Sequence, residues 1–142
     1  MEISTVIIII NTFASLFLAG VIWIVQLVHY PSFHFMNKKG FEEFHKHHSV
    51  HISFIVVPAM LIELSTAVIL PFIENLPKIL TISSLTLVIL IWLSTFLIQV
   101  PVHNRLRSGY DKKDVDRLVS SNWIRTFLWS VKAFTGYLLL TF

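Results

Sequence analysis

The side chains best able to do chemistry in this sequence are its histidines. Of seven, four (His45, His47, His48 and His51) fall in the stretch HKHHSVHISFIVVPAMLIEL, which runs straight into an apolar segment carrying Glu63. Neutral imidazole is a ligand for iron, copper and zinc, and its proton affinity makes it a carrier near neutral pH. Cysteine is absent and methionine occurs three times. Disulfides and thiolate ligands are thereby excluded, and a thioether copper carrier is disfavoured. Two readings of the cluster stand side by side. It is a metal or proton site, or it is a set of interfacial histidines hydrogen-bonded to loops and lipid phosphates.

The elements that must position these residues are apolar. The chain has 142 residues, 55% of them hydrophobic and 13% charged, where a soluble domain is about a quarter charged. Four apolar runs, 3–29, 52–73, 79–101 and 122–142, are each near the roughly 20 residues that cross a bilayer. The expected fold is a single all-α domain, a polytopic transmembrane four-helix bundle running up-down-up-down. Its helices are expected at about 3–29, 43–73, 79–102 and 120–142. The first run lacks the basic flank and small-residue cleavage site of a signal peptide. The net charge of +3 comes from basic residues in short loops beside the spans. Membrane topology explains these better than nucleic-acid binding.

The connection around Glu74–Lys78 is short, so the second and third helices form a tight hairpin. Residues at roughly 30–44 and 104–119 form the longer connections; they hold Lys38, Lys39, Arg105, Arg107, Lys112, Lys113 and Arg117, with Lys46 just past the first, against Lys78 on the other side. The positive-inside rule then places both long connections in the cytoplasm and both termini outside, in a bacterial inner membrane. Phe33, Phe35, Phe41 and Phe44, interleaved with polar residues, read as a segment lying among lipid headgroups.

In such a bundle one end collects polar residues from all four helices. Trp23, Gln26, His29 and Tyr30 close the first helix, the histidine cluster opens the second, Thr95, Gln99 and His103 close the third, and Asn122, Trp123 and Arg125 open the fourth. At about 100° per residue, His45 and His48 face the interior with Glu63, His51 is borderline and His47 faces outward. His34 lies in the connection. His29, His45, His48 and His103 are the expected metal ligands. Gln26, Gln99 and Asn122 are expected to orient ligands, cofactor or substrate.

Deeper in the bilayer, Glu63 and Lys132 are costly in hydrocarbon and must point inward, as an ion pair or into a shared cavity. On the fourth helix, Asn122, Arg125, Trp129, Lys132 and Gly136 form one stripe. Pro58 removes a helical donor and predicts a kink in the second helix.

The segment QVPVHNRLRSGYDKKDVDRLVSSNWIRTFLW resembles the small four-helix membrane proteins grouped as anthrone-oxygenase-like. It has Val100, Pro101, Asn104 and Leu106 closing one helix, then Trp123, Arg125 and Thr126 entering the next, with a shorter Trp-to-Arg spacing than the group's pattern. WIVQLVHYPSF, FHKHH and PAMLIEL resemble a compact bacterial subgroup of unassigned activity. The resemblance implies a metal-dependent oxidoreductase or oxygenase acting on a lipophilic small molecule from the bilayer. Iron or copper is preferred, zinc and haem remain open, and a homo-oligomer is compatible. Arg125 would hold an anionic or phenolate group, and Glu63 and Lys132 would relay protons. The other class of reading is a small transporter or assembly subunit whose polar core conducts protons or ions.

Overall fold

A computed structural model describes residues 2–142. The described residues are helical, with no strand, and form four helices: α1 (Ile3–Phe35), α2 (Lys38–Phe72), α3 (Lys78–Leu106) and α4 (Lys112–Leu139). The first three are long and apolar enough to cross a membrane. The fourth, expected as a span, falls short of that apolarity because its inward face is polar: Asn122, Arg125, Thr126, Lys132 and Thr135 are all buried. Outward, the bundle presents large apolar side chains such as Phe13, Phe54, Phe96 and Phe127.

The expected long connections are short. Asn37 caps α2 by accepting from the Lys39 N–H, so the helix starts at Lys38 rather than near 43 and continues past Gly40. Asp111 caps α4 through the Asp114 N–H, so that helix starts at Lys112 rather than near 120. Residues 36–37 and 107–111 are left as connections. The phenylalanines read as headgroup contacts divide accordingly. Phe33 and Phe41 are fully buried against each other, their rings edge to face at 5.6 Å, while Phe35 stays exposed. The segment is therefore a core corner that turns α1 onto α2.

The α2–α3 hairpin is tight, as its sequence suggests. Asn75 adopts a φ of 66°, a left-handed conformation that asparagine tolerates better than most residues. The Lys78 ammonium donates to the Pro71 and Ile73 carbonyls, groups with no helical partner of their own.

Two helices carry a π turn just before a proline. In α1, residues Val25–His29 are wound so that the Tyr30 N–H reaches the Val25 carbonyl, and Pro31 comes next. In α3, residues Thr95–Gln99 do the same, with the Val100 N–H on Thr95 and Pro101 next in the chain. A proline cannot donate and crowds the carbonyl four residues back. The wider turn takes up that mismatch and rotates the C-terminal part of each helix. Pro58 in α2 has no such turn, and the α-helix runs unbroken through it.

The helix pairs are fastened by polar contacts. Asn11 of α1 donates to the Glu63 carbonyl and to Thr66 of α2. The Thr12 hydroxyl donates to the Gly136 carbonyl of α4 at 3.0 Å. A Cβ at Gly136 would stand 3.2 Å from the Thr12 Cα, so glycine is what lets α1 and α4 touch here.

Candidate functional site

The helix ends carrying His45, His103 and Tyr30 meet in one polar layer. His45, fully buried on α2, places its Nε2 2.9 Å from Nδ1 of His103 on α3. His103 Nε2 lies 2.9 Å from the Tyr30 hydroxyl of α1. Arg125 of α4 donates to that hydroxyl at 3.3 Å, and its Nε and Nη2 both donate to the Asn122 side-chain oxygen. Asn122 donates onward to Gln26, which donates to the Val119 carbonyl and so ties α1 to α4. The chain of contacts from Gln26 to His45 therefore crosses all four helices.

Its proton arrangement has two consistent forms. Arg125 can only donate, so the Tyr30 oxygen accepts from it. If Tyr30 then donates to His103, His103 donates to His45 and the proton of His45 sits on Nδ1. If the imidazoles are the other tautomer, His45 donates to His103, His103 donates to Tyr30, and His45 Nδ1 is a bare lone pair. In either form His45 Nδ1 is the free end of the chain, buried without a partner.

A cavity of about 310 Å³ adjoins this layer, a size found for small-molecule sites. Its walls are Ile22, Val25, Ile52, Val56, Met60, Trp92 and Trp129, and its polar end holds Tyr30, His48, Gln99, His103, Arg107 and Arg125. Ser53 and Val57 of α2 and Phe96 and Val100 of α3 line it and are also exposed. The cavity thus opens sideways, between α2 and α3, onto the apolar flank of the bundle.

The four expected ligands lie in one cluster, with ring centroids 3.9 Å apart for His29 and His48, 6.4 Å for His48 and His103, and 5.2 Å for His103 and His45. His45 and His103 occupy one of each other's nitrogens. His29 lies against His48 with planes tilted by 30°, and His29 Nε2 is buried without a partner. Among the described residues no three His, Asp or Glu side chains form a group able to hold a metal ion. His47 and His51 stack on each other at the exposed face of α2, and His34 pairs with Asp116 at 3.3 Å, all away from the cavity.

The other expected residues separate into two layers. Gln26, Asn122 and Arg125 belong to the hydrogen-bonded chain. Gln99 donates to Ser121 and borders the cavity, its oxygen unpartnered. Glu63 and Lys132 are both fully buried but lie deeper, beneath the cavity floor, and make no direct ion pair. Lys132 donates instead to Asn11 at 2.7 Å and Ser15 at 2.8 Å, while Glu63 accepts from the Trp129 indole at 3.1 Å. Trp23, among the residues that close α1, is exposed and packs edge-on against Trp123. It directly follows buried Ile22, about 100° round the helix from it.

Tyr30, Asn11 and Ser15 are central to these layers and absent from the expected site residues. Asn11 and Ser15 stand four apart in an otherwise apolar helix, which is a readable signal of an inward polar face. Tyr30 gives a signal too, four residues after Gln26 among the polar residues that close α1.

No family model, curated protein or solved structure matches the chain.

Proposed function

We propose that this protein is an integral membrane four-helix bundle, running up-down-up-down. In this reading it admits a lipophilic molecule from the bilayer between α2 and α3 and exchanges a proton with that molecule's acidic or phenolic head group. The observation that carries the reading is the sideways-opening cavity, apolar along its walls and capped by Tyr30, His48, Gln99, His103 and Arg125. Arg125 supplies the fixed positive charge that would hold an anionic or phenolate oxygen. Tyr30, His103 and His45 supply the path along which the head group's proton would leave or arrive. The eight basic residues near this end, against Lys78 at the other, favour its facing the cytoplasm.

A metal-dependent oxidoreductase at the same place could use the unpartnered nitrogens of His45 and His29, but would require His103 to give up its bond to either Tyr30 or His45. A bound metal in protein purified without chelator would favour that chemistry over the proton relay.

The test is binding of a lipophilic phenol to protein in lipid nanodiscs, monitored by quenching of tryptophan fluorescence, since Trp92 and Trp129 line the cavity. Saturable quenching that weakens at least tenfold in Arg125→Gln supports the reading. Quenching that is unsaturable, or unchanged in Arg125→Gln, overturns it.

A further inference from the structure

Beneath the cavity floor lies a second polar cluster, built on Asn11, Ser15, Glu63, Trp129 and Lys132, whose hydrogen bonds leave the place of one acidic proton undetermined. The Ser15 hydroxyl donates to the Asn11 carbonyl at 2.8 Å, so its oxygen is an acceptor for Lys132. The Asn11 amide nitrogen is committed to the Glu63 carbonyl and to Thr66, so the Asn11 side-chain oxygen is likewise an acceptor for Lys132. Lys132 therefore gives two hydrogens, which both an amine and an ammonium possess. Glu63 receives one N–H, from Trp129, on Oε2, and its Oε1 is buried with no partner. The undetermined proton sits either as the third N–H of Lys132 or as an O–H on Glu63.

We propose that Glu63 and Lys132 form a proton-exchange site, one mobile proton held between a buried carboxyl and a buried amine. It moves from Lys132 to Glu63 by way of the Ser15 hydroxyl, which takes a hydrogen from Lys132 and passes its own to Glu63. One N–H bond breaks, one O–H bond forms, and two separated charges become two neutral groups. An ionised carboxylate in an apolar interior is held by several donors or by a cation in contact. Glu63 is hydrogen-bonded to one neutral donor, Trp129, with the Ser15 hydroxyl beside it and no cation in contact, whereas Lys132 rests on two neutral acceptors, a setting that suits either of its forms. No other ionisable group competes: the buried residues of α1 and α3 at this depth are uncharged, and the nearest cation on α4 is Arg125.

Trp129 connects this site to the cavity. Its ring lines the floor, its N–H holds Glu63, and the Arg125 guanidinium stands 6.0 Å from the ring centroid. A molecule that displaces the indole would remove the one N–H donor that Glu63 has, and so drive the proton onto the carboxyl. The site itself stands on the hydrogen bonds alone and does not depend on what the cavity binds.

Infrared spectroscopy of the intact protein in lipid nanodiscs reads the carboxyl directly. Glu2, Glu42, Glu43 and Glu74 are all exposed, so a protonated-carboxyl stretch at neutral pH that moves on carbon-13 labelling of glutamate belongs to Glu63. The expected result is such a band in the wild type, its loss in Glu63→Gln, and its growth in Lys132→Met, which removes the alternative carrier of the proton. The wild-type labelling experiment stands even if either variant fails to fold. Absence of the labelled band from neutral to mildly acidic buffer overturns the proposal and leaves Glu63 as a permanently ionised structural group.

Discussion

His45 Nε2 and His103 Nδ1 stand 2.9 Å apart, so two imidazoles expected to share a metal ion share a hydrogen instead. Each is the other's partner in a layer closed to water on the His45 side. Removing one leaves a buried polar nitrogen unsatisfied, which costs about 1–3 kcal/mol. His103→Ala should therefore lower the unfolding free energy by about that amount. His47→Ala, on the exposed face of the same helix as His45, should stay within about 0.5 kcal/mol of wild type. Thermal or denaturant unfolding in detergent measures both. Equal effects would mean that the His45–His103 contact contributes nothing.

Tyr30 is where the arginine and the imidazole chain meet. Tyr30→Phe keeps the ring but takes away the oxygen that accepts from Arg125 and bonds His103. We expect the bundle to fold, with a loss of about 1–3 kcal/mol for the groups left unpaired. Binding of a phenol probe should depend on pH in the wild type and lose that dependence in Tyr30→Phe. An unchanged pH profile would separate Tyr30 from the relay.

The legibility of the fold and site in the sequence depends on the kind of signal each residue gives. Helical phase sorts His45 from His47, because α2 is a regular helix through that region and about 100° per residue holds there. The same phase rule leaves Trp23 one residue past the buried line that runs through Leu18 and Ile22, where it is exposed. It carries no warning of the π turns that reset the register before Pro31 and Pro101. Apolar runs locate four helices but set the starts of α2 and α4 several residues late. Those first turns are polar, and the capping side chains of Asn37 and Asp111 begin the helices, not hydrophobicity. Glu63 and Lys132 are recognisable as inward-facing from cost alone. Their partners are not, since which neutral group a buried charge meets depends on the packing of α1 between α2 and α4.

Lys132 is tied to α1 rather than to Glu63. A double-mutant cycle between Lys132→Met and Asn11→Ala should show a coupling of about 1–3 kcal/mol, in the range for residues in one hydrogen-bond network. The cycle with Glu63→Gln should show coupling as well, because the two groups share one mobile proton although they make no direct contact. Additive losses in the Asn11 cycle would mean that the Lys132–Asn11 contact does not hold α4 to α1.

Gly136 and Gly20 make opposite predictions from the same substitution. A methyl group at Gly136 would meet the Thr12 hydroxyl at 3.0 Å and its Cα at 3.2 Å, and backbone cannot move aside without separating α1 from α4. Overpacking of this kind costs about 1–3 kcal/mol. Gly136→Ala should also disturb the nearby Lys132 contacts to Asn11 and Ser15, which depend on the same helix approach. At Gly20 nothing lies within 4 Å of the added methyl, and alanine in a helix interior is favoured over glycine by about 0.5–1 kcal/mol. Gly20→Ala should accordingly leave the protein as stable or more so. Unfolding of the two variants side by side in one lipid composition decides the matter. If Gly136→Ala is as well tolerated as Gly20→Ala, the close contact between α1 and α4 does not hold the deep polar cluster together.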